Sequence, residues 1–583
     1  MFKQQSVRDD LKFRSKIIFG TITLLSFLLV LNLYRLQISN AEKYTLMSNK
    51  NRIRLIPILP KRGRILTADG KAVAHNICQH KLLMERCSED VFRENMKIIC
   101  ECIRLEKDDQ QKIDESKKSP FIVIKDKLSW EEYAKLSMNL FKLNGVSLES
   151  IHVRNYPMTF ECSHVVGHTK NNGHNLPILE GKTGIEAYLN DKLIGESGNT
   201  QVEVNAQGKR IRIIDSEEPV AGMDVVLTID SRLQKYVYDL LAQERAATAV
   251  VLDISNGEIL AMVSFPAFNA NLISAKMTQA QWQSVIQDPL FPLLNRAVNC
   301  SYPPGSIFKI VVAFAALEEK IITPQDKIFC GGGIKVDDTV FHCWNRGGHG
   351  HVNLFEALRF SCDCYFFEVS RKLGIDNIVK YAKRFGFGEE TGVELPSEHV
   401  GLLPTKKWKF LSYGTHWKPY ETMIAGIGQG ALLATLLQLA VMFGKIYTRN
   451  YEFIPTLVRD QGKKSRRANP ISEQSLNIII EALRQVCSCG TAAGSCRTTY
   501  GISGKTGSSQ VSKIQPTEVG RSPQNIPWKL RDHAIFVGCA PNEHPRYVVA
   551  VLVEHGGGGA AVAAPIARKI FDRIMENEKI VSQ

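Results

Sequence analysis

The chain lacks the signatures of a nucleic-acid-binding protein, and it has only one long hydrophobic run. Its 583 residues carry a formal net charge of +14, and a basic charge by itself suits nucleic acid, anionic lipid or an acidic polymer. No zinc-finger, homeodomain or RNA-binding motif accompanies the charge, which argues against nucleic acid as a partner. No internal repeat is visible, and no stretch beyond the N-terminal region is long and apolar enough to cross a bilayer.

The one long hydrophobic run covers residues 17–34, which include no charged residue. That length is just sufficient for a membrane-spanning helix. Basic residues dominate the sixteen positions before it, so the positive-inside rule keeps them in the cytoplasm. A cleaved signal peptide is the alternative, but Arg35-Leu36-Gln37 follows the run instead of a small-x-small cleavage site. We therefore predict a cytoplasmic tail at 1–16, a single-pass anchor at 17–36 and a catalytic part outside the cytoplasmic membrane.

A change of pattern near Gly222 divides the remainder of the chain into two domains. Residues 37–222 combine charged, helix-prone stretches with segments rich in β-formers, which predicts an α+β domain. From residue 223 onwards, strand-like runs precede a helical middle part and two closing strands near the C-terminus. This order predicts an α/β domain at 223–583 whose sheet joins distant parts of the chain. Asn256-Gly257, between two apolar runs, predicts a β-hairpin in that sheet.

A Ser-x-x-Lys pattern at Ser306 and Lys309 is the first candidate for catalysis. Such a pattern arises about twice by chance in a chain this long, so its context matters. The apolar pattern of residues 310–317 places Ser306 at a helix N-terminus, where backbone N–H groups favour negative charge on its oxygen. Lys309 lies one turn further, and a lysine shielded from water can act as the base. For these four residues alone, an N-cap serine beside a surface lysine remains the alternative.

Two further patterns follow Ser306 in the chain. Ser361-Cys362-Asp363 precedes an apolar helical run, and Lys505-Thr506-Gly507 opens a short strand. Ser-x-x-Lys, a Ser-Asp-Asn element and Lys-Thr-Gly occur in this order in β-lactamases and penicillin-binding proteins. An earlier Lys182-Thr183-Gly184 precedes Ser306, and we interpret it as a coincidental turn.

The first two patterns supply the groups needed for acyl transfer. Ser306 would attack a carbonyl and form an acyl-enzyme, while Lys309 takes its proton. Ser361 can relay a proton to the leaving amine, and Asp363 can hold Ser361 and the lysines in a hydrogen-bonded cluster. Which group acts as the acylation base is disputed for such sites.

The third pattern supplies substrate binding. Lys505 and Thr506 can bind a substrate carboxylate, and Gly507 belongs to the same binding segment. The backbone N–H groups of Ser306 and Ser508 would form the oxyanion hole.

The order and surroundings of these motifs resemble the class B penicillin-binding proteins, and among them the penicillin-binding protein 2 branch of elongation transpeptidases. The resemblance covers nearly everything after the anchor. It rests on short segments along the chain, among them Pro60-Lys61-Arg62-Gly63, Gly184-Ile185-Glu186, Leu227-Thr228-Ile229-Asp230, Tyr302-Pro303-Pro304-Gly305-Ser306, Gly348-His349-Gly350 and Gly428-Gln429-Gly430. Asp363 stands where many relatives carry Asn, which resembles the elongation branch more than the division branch. Thr67-Ala68-Asp69-Gly70 departs from the family pattern, but only in the first domain.

The resemblance implies a fold, a reaction and partners. The fold would be an N-terminal transmembrane helix, an elongated α+β pedestal of the dimerisation type, and an α/β transpeptidase domain with a central antiparallel sheet flanked by helices. The reaction would be peptidoglycan D,D-transpeptidation on stem peptides ending in D-Ala-D-Ala, with β-lactams acylating the same serine. The partners would be a RodA-type glycosyltransferase and the shape proteins of the elongation machinery. The enzyme would sit in the cell inner membrane with its catalytic domain in the periplasm.

Cysteines cluster in two places among the 14 in the chain. Cys330, Cys343, Cys362 and Cys364 lie with His349 within thirty-five residues that include the second motif. Three thiolates and one imidazole suit tetrahedral zinc. Because no Cys-x-x-Cys knuckle is present, a Cys330–Cys343 disulfide and simple burial stay open as alternatives. A second group, Cys487, Cys489 and Cys496, has no histidine and receives no role.

The resemblance favours zinc at the first cluster. Some relatives hold a metal at the positions of Cys343, His349 and Cys362, and Cys330 is the natural fourth ligand. We therefore expect one structural zinc that braces the loop of Ser361 and Asp363, and no organic cofactor.

Other functions share the same three motifs. A β-lactamase would be shorter, would lack the first domain and would need a deacylation base, for which no residue is assignable. A β-lactam sensor would have several membrane spans and a cytoplasmic domain. A scaffold without activity has no support, because all motif residues are intact.

Overall fold

The structure, a computed structural model, describes residues 2–44, 52–116, 121–171, 178–205, 210–275, 277–336, 338–459, 471–511 and 526–582. It divides into two compact units, residues 1–61 with 195–222 and residues 62–194 with 223–583. Most of the predicted first domain therefore packs in the same unit as the predicted transpeptidase domain. The boundary at 222 remains a prediction from the sequence.

The smaller unit contains the N-terminal helix and a small sheet. The helix runs from Phe2 to Tyr34 and continues as a π-helical segment, Arg35–Ser39. An 18-residue window within Phe13–Ser39 has a mean hydropathy of 2.1, so by length and composition this helix could cross a membrane. A three-stranded antiparallel sheet completes the unit, with strands Ile53–Ile58, Gly198–Val204 and Arg210–Glu217.

The larger unit begins with a five-stranded sheet centred on the long strand Ala72–Glu85, which pairs with three of the other strands. Its other strands are Ile65–Leu66, Phe121–Leu128, Val146–Asn155 and Val225–Val226. The charged, helix-prone stretches of the predicted first domain are present as helices Glu89–Cys102, Lys107–Ser116 and Trp130–Asn139. The strand Phe121–Leu128 between them was not predicted from the sequence.

A buried ion cluster fastens this part of the unit. Arg62 Nε donates to Glu186 Oε2 and Arg154 Nε donates to Glu186 Oε1, each at 2.7 Å. All three side chains are buried. Arg62 also donates to the carbonyls of Leu179 and Glu186. A carboxylate buried between two guanidinium groups is satisfied only while both remain in place.

The main sheet of the larger unit has five strands, numbered here in chain order. They are β1 (Ala247–Asp253), β2 (Glu258–Phe265), β3 (Ser503–Ser509), β4 (His533–Ala540) and β5 (Tyr547–Val553). Their spatial order is β2-β1-β5-β4-β3, and every pair is antiparallel. The predicted Asn256-Gly257 hairpin joins β1 to β2, and Val250 of β1 pairs with Ala550 of β5. The prediction of an antiparallel sheet that joins distant parts of the chain is confirmed.

Helices cover both faces of this sheet, as every residue of β1 and of β5 is buried. One face packs against helices Ser231–Leu241 and Ala563–Ser582. The other face packs against helix Leu436–Thr448, and the apolar helix α1 (Lys309–Glu318) lies in the same hydrophobic core.

Three further helices bear on the site. They are α2 (Asp363–Leu373), α3 (Glu473–Ser488) and the short α4 (Ala493–Cys496). The remaining helices and helical turns of the larger unit are Leu140–Lys142, Ser163–Val166, Gly184–Tyr188, Asn190–Ile194, Ala270–Ser274, Gln279–Ile286, Gly305–Ile307, Leu354–Arg359, Ile375–Arg384, Lys406–Tyr413, Pro419–Gly426 and Trp528–Leu530. Its remaining strands form three pairs, Thr169–Asn171 with Leu179–Gly181, Ile328–Cys330 with Gly350–Val352, and Gly333–Val336 with Thr339–His342.

Candidate active site

Ser306 lies in a 3₁₀ turn, Gly305–Ile307, immediately before α1. Gly305 has a φ of +56°, and a Cβ there would lie 2.7 Å from the carbonyl oxygen of Ser508. The Gly305 N–H donates to the carbonyl of Gly428 at 2.9 Å, and a Cβ on Gly428 would lie 2.1 Å from the Gly305 oxygen. Glycine is needed at both positions because the backbones of β3 and of the Gly428 turn approach so closely. The turn is thereby fixed with Ser306 half-buried beside β3.

Lys309 is fully buried and donates to the second motif. Its Nζ lies 2.7 Å from Asp363 Oδ1, 2.9 Å from the Ser361 carbonyl oxygen and 3.3 Å from Ser361 Oγ. The structure thus brings Lys309, Ser361 and Asp363 together. Among the described residues, the Ser306 hydroxyl makes no hydrogen bond to Lys309, whose donors are directed to Ser361 and Asp363.

The backbone of the second motif is held in an unusual conformation. Ser361 has a φ of +55°, which is uncommon for a residue with a side chain and is found mostly where surrounding contacts impose it. Asp363 Oδ2 accepts from the Trp344 N–H at 2.8 Å, and the Trp344 indole N–H donates to the Phe360 carbonyl at 3.0 Å. The Asp363 carboxylate therefore has a partner on each oxygen, Lys309 on one and Trp344 on the other.

The third motif forms part of β3, the edge strand of the main sheet. Lys505 is fully buried, and burial followed by the charge of Lys309 lowers its pKa to about 7. A Cβ on Gly507 would lie 3.0 Å from the Pro304 oxygen, so the strand runs close beside the Ser306 turn. Ser508 is exposed at the end of this contact. The backbone N–H groups of Ser306 and Ser508 therefore belong to adjacent segments, as an oxyanion hole requires.

Three residues near the motifs received no role from the sequence. Gln429 donates from Nε2 to the Ser508 carbonyl at 2.9 Å, and the hydroxyls of Thr491 and Thr506 lie 3.2 Å apart. Trp344 is the third, through its contact with Asp363. Gln429 lies in one of the segments that carry the family resemblance, but nothing in the local pattern of Thr491 or Trp344 indicates a part in the site. The earlier Lys182-Thr183-Gly184 leads into helix Gly184–Tyr188, of which Gly184 is the first residue, and lies outside the main sheet.

The first cysteine cluster is assembled beside the second motif. Ligand atoms of Cys330, Cys343, His349 and Cys362 all lie within 4.8 Å of one another. His349 Nδ1 is 3.6 Å from the sulfur of Cys330 and 3.6 Å from that of Cys343. A tetrahedral zinc, with bonds of about 2.3 Å to sulfur and about 2.0 Å to nitrogen, separates such ligands by about 3.5 Å. The residues therefore fit a zinc ion.

The sulfur atoms of this cluster are thiols in the structure. Hydrogen bonds from Cys362 and from Cys364 lower the pKa of the Cys343 thiol. The hydrogen bond with Cys343, followed by burial, raises the pKa of the Cys362 thiol. Cys364 lies beside the four ligands without belonging to the set.

Family comparisons cover both predicted domains. The penicillin-binding protein transpeptidase domain matches residues 247–572, and the penicillin-binding protein dimerisation domain matches residues 57–227. The chain belongs to the class B penicillin-binding proteins. Its transpeptidase domain makes it a serine-type transpeptidase, and the fold expected from the resemblance is confirmed.

Individual relatives place the chain in the penicillin-binding protein 2 branch of this family. The peptidoglycan D,D-transpeptidase MrdA of Salmonella typhimurium is 32% identical over 100% of the chain and 99% of its own length. Penicillin-binding protein 2 of Helicobacter pylori, solved in complex with MreC, matches with a TM-score of 0.79 and 28% identity, over 90% of the chain and 99% of that structure. A peptidoglycan synthase complex, solved to explain how polymerisation and crosslinking are coordinated, matches with a TM-score of 0.73 and 29% identity, over 96% and 97% of the two chains.

Proposed function

We propose that Ser306 is the acyl-accepting nucleophile of a peptidoglycan D,D-transpeptidase that works in cell elongation. The observation that carries this proposal is the buried cluster of Lys309, Ser361 and Asp363 next to Ser306, with Lys505 beside it. Two lysines and a carboxylate are costly to bury, and groups with perturbed pKa values gather at catalytic sites. The 32% identity to a peptidoglycan D,D-transpeptidase supports the substrate class.

The acylation half-reaction uses the first two motifs. Ser306 Oγ attacks the carbonyl carbon of the penultimate D-alanine, and its proton passes into the cluster of Lys309 and Ser361. The C–N bond to the terminal D-alanine breaks, and the leaving amine takes up a proton from Ser361. Asp363 keeps Lys309 and Ser361 in place through this exchange, because its carboxylate is held on its other side by Trp344.

The third motif orients the substrate for that attack. Lys505 and Thr506 bind the terminal carboxylate of the stem peptide, while Gly507 allows β3 to lie close to the Ser306 turn. Negative charge on the carbonyl oxygen is stabilised by the N–H groups of Ser306 and Ser508. Deacylation by an amine of a neighbouring stem peptide then reverses the proton transfers and forms the cross-link. A β-lactam opens on the same serine and stays attached.

Covalent labelling with fluorescent penicillin tests the assignment of Ser306. We expect the wild-type protein to be labelled and Ser306→Ala to remain unlabelled. Ser412→Ala is the matched control, because Ser412 is an exposed serine in helix Lys406–Tyr413, and it should be labelled like the wild type. Equal labelling of Ser306→Ala and wild type would refute the proposal.

We further propose that Cys330, Cys343, His349 and Cys362 hold one structural zinc. The donor set of three thiolates and one imidazole, with sulfur to nitrogen distances of 3.6 Å, supports it. Four protein ligands leave no position for a water molecule, so the ion would brace the loop and would not activate a nucleophile. Cys362 lies between Ser361 and Asp363, and Cys343 directly precedes Trp344, whose N–H binds Asp363. The zinc would therefore hold both the segment that carries Asp363 and the segment that binds its carboxylate.

Elemental analysis of purified protein tests the zinc proposal. We expect about one zinc per chain in the wild type and in His351→Gln, which changes an exposed neighbouring histidine. His349→Gln should lose the zinc and unfold at a lower temperature. A wild-type protein without zinc, with Cys330 joined to Cys343 by a disulfide, would sink the proposal.

We further propose a location and partners, which the same family assignment supports. The N-terminal helix anchors the chain in the cell inner membrane, with the basic residues 1–16 in the cytoplasm and the transpeptidase domain in the periplasm. The partners are shape proteins of the elongation machinery, as MreC is for the Helicobacter pylori relative, and a RodA-type glycosyltransferase. Protease added to spheroplasts should degrade the transpeptidase domain while leaving an N-terminal tag intact. The opposite pattern would reverse the orientation.

A further inference from the structure

We propose that Cys487 and Cys496 form a disulfide in the exported protein, and that this bond holds the loop carrying Thr491 against β3. The inference rests on the periplasmic location in the proposed function, because disulfides persist in oxidising compartments. It concerns the second group of cysteines, which lies apart from the cluster around His349.

The chain reverses direction between the two cysteines and brings them together. Cys487 lies in the last turn of α3 and Cys496 ends α4. The reversal is fixed by backbone hydrogen bonds, since the Ala492 N–H donates to the Val486 carbonyl at 3.0 Å and the Cys496 N–H to the Ala492 carbonyl at 2.9 Å. The Cys487 thiol contacts the Cys496 thiol, and each residue is only 1% exposed within the same hydrophobic core. Two thiols that pack against each other in this way are candidates for a disulfide.

The third cysteine of the group is differently placed. Cys489 is exposed, and its thiol donates to the Gln485 carbonyl at 3.6 Å. In the described part of the chain, the one group of side chains with metal-binding geometry is the set around His349. A pair of thiols without further ligands cannot complete a tetrahedral zinc site, so the chemistry that suits Cys487 and Cys496 is oxidation.

The segment between the two cysteines reaches the third motif. Thr491 Oγ1 lies 3.2 Å from Thr506 Oγ1, and the Thr491 N–H donates to the Arg359 carbonyl at 3.1 Å. Cys487 itself accepts a hydrogen bond from the Gly504 N–H, one residue before Lys505. A covalent link across this short loop would limit the movement of Thr491 away from Thr506. The disulfide would thereby keep Thr491 in contact with Thr506 of β3, the strand proposed to bind the substrate carboxylate.

The bond forms by thiol–disulfide exchange with a disulfide-bearing oxidant of the compartment. One thiolate of the pair attacks a sulfur of the oxidant, which forms a mixed disulfide and releases one oxidant thiolate. The second thiolate then attacks the Cys487 or Cys496 sulfur of the mixed disulfide and releases the other. Two thiols of the chain lose two protons and two electrons in total, and the oxidant is reduced to two thiols. Both cysteines are buried in the folded unit. The oxidant must therefore react with them during folding, before this hydrophobic core is complete.

Mass spectrometry of the exported full-length protein tests the bond directly. Trypsin cleaves after Arg484 and Arg497, so all three cysteines fall in the one peptide Gln485–Arg497. Protein denatured and alkylated without reductant should give this peptide with one alkyl group, located on Cys489. The same sample reduced before alkylation should carry three. Three alkyl groups without reduction, or a bond that includes Cys489, would overturn the proposal.

The role of the bond is tested by the rate of penicillin acylation of cysteine variants. We expect Cys496→Ser to be acylated several-fold more slowly than the wild type, and the matched control Cys489→Ser, which changes the exposed cysteine, to be acylated at the wild-type rate. A wild-type rate for Cys496→Ser would overturn the claim that the bond supports β3. The mass measurement needs no active enzyme, so its failure and a failure of the proposed function are distinguishable.

Discussion

Replacing Lys505 by methionine should stabilise the folded protein while removing its activity. Burial lowers the pKa of Lys505 from 10.5 to about 7. The unfolded chain therefore binds one proton more than the folded chain between pH 7 and 10.5, and stability falls as the pH falls through that window. Below pH 7 the full penalty is present. At 1.36 kcal/mol per pKa unit, this difference corresponds to about 5 kcal/mol.

Methionine has a similar length and no charge, so Lys505→Met removes this penalty. The substitution also removes the hydrogen bond from Lys505 Nζ to the Thr506 carbonyl. The loss of this bond reduces the gain in stability by about 1 kcal/mol. The variant should thus exceed the wild type in unfolding free energy by about 4 kcal/mol at pH 6 and by about 1 kcal/mol at pH 9. Urea denaturation followed by tryptophan fluorescence at the two pH values measures this difference. Penicillin acylation should be lost at both.

Lys407→Met is the matched control for this experiment. Lys407 is an exposed lysine of helix Lys406–Tyr413, and its replacement should change the unfolding free energy by less than about 0.5 kcal/mol at either pH. A stability difference for Lys505→Met that is the same at pH 6 and pH 9 would refute the reasoning. So would a variant less stable than the wild type at pH 6.

Three further substitutions test other contacts. Glu186→Gln leaves Arg62 and Arg154 buried without a counter-charge, and should lower the unfolding free energy in urea by about 3–5 kcal/mol; a loss under 1 kcal/mol would mean that the cluster is already solvated. Gly305→Ala forces a Cβ towards the Ser508 carbonyl, and a resulting shift of Ser306 by about 1 Å should slow penicillin acylation about 10²-fold; an unchanged rate would show that the turn can relax. Thr491→Val removes the hydroxyl partner of Thr506 and should reduce the acylation rate by roughly twofold to tenfold, the range of one hydrogen bond of about 0.5–1.5 kcal/mol; a variant with the wild-type rate would leave Thr491 without a part in the site.

The main sheet could be predicted from the sequence because its strands are strongly apolar and bounded by clear turns. Asn256-Gly257 identified the hairpin of β1 and β2, and the run of valines at 548–553 identified β5. Residue propensities did not identify the strand at 121–128. Its residues Lys125, Asp126 and Lys127 are charged, so the segment resembles the charged, helix-prone sequence around it. That segment is ordered by pairing with Ala72–Glu85, a contact that local periodicity does not contain.

The catalytic motifs could be recognised because each is continuous in sequence. The residues that contact them could not be recognised, because they lie elsewhere in the chain. Gln429 contacts a residue 79 positions away, and Thr491 contacts one 15 positions away. The left-handed conformation of Ser361 also has no local signal, since it is imposed by the contacts around it. The structure also shows that Lys309 Nζ donates hydrogen bonds to both Ser361 and Asp363 in the absence of substrate.

The pairing of β1 with β5 has a consequence for the biogenesis of the enzyme. Val250 and Ala550 are partners across the centre of the sheet, 300 residues apart in the chain. During synthesis the hairpin of β1 and β2 is made first, and one edge of β1 lacks a partner until β5 has been made. An unpaired apolar edge is a template for aggregation, and contacts this distant in sequence form slowly. The transpeptidase domain therefore keeps this strand edge unpaired until the last strand of its main sheet has been made, and truncation before residue 553 leaves an exposed strand edge in place of an enzyme.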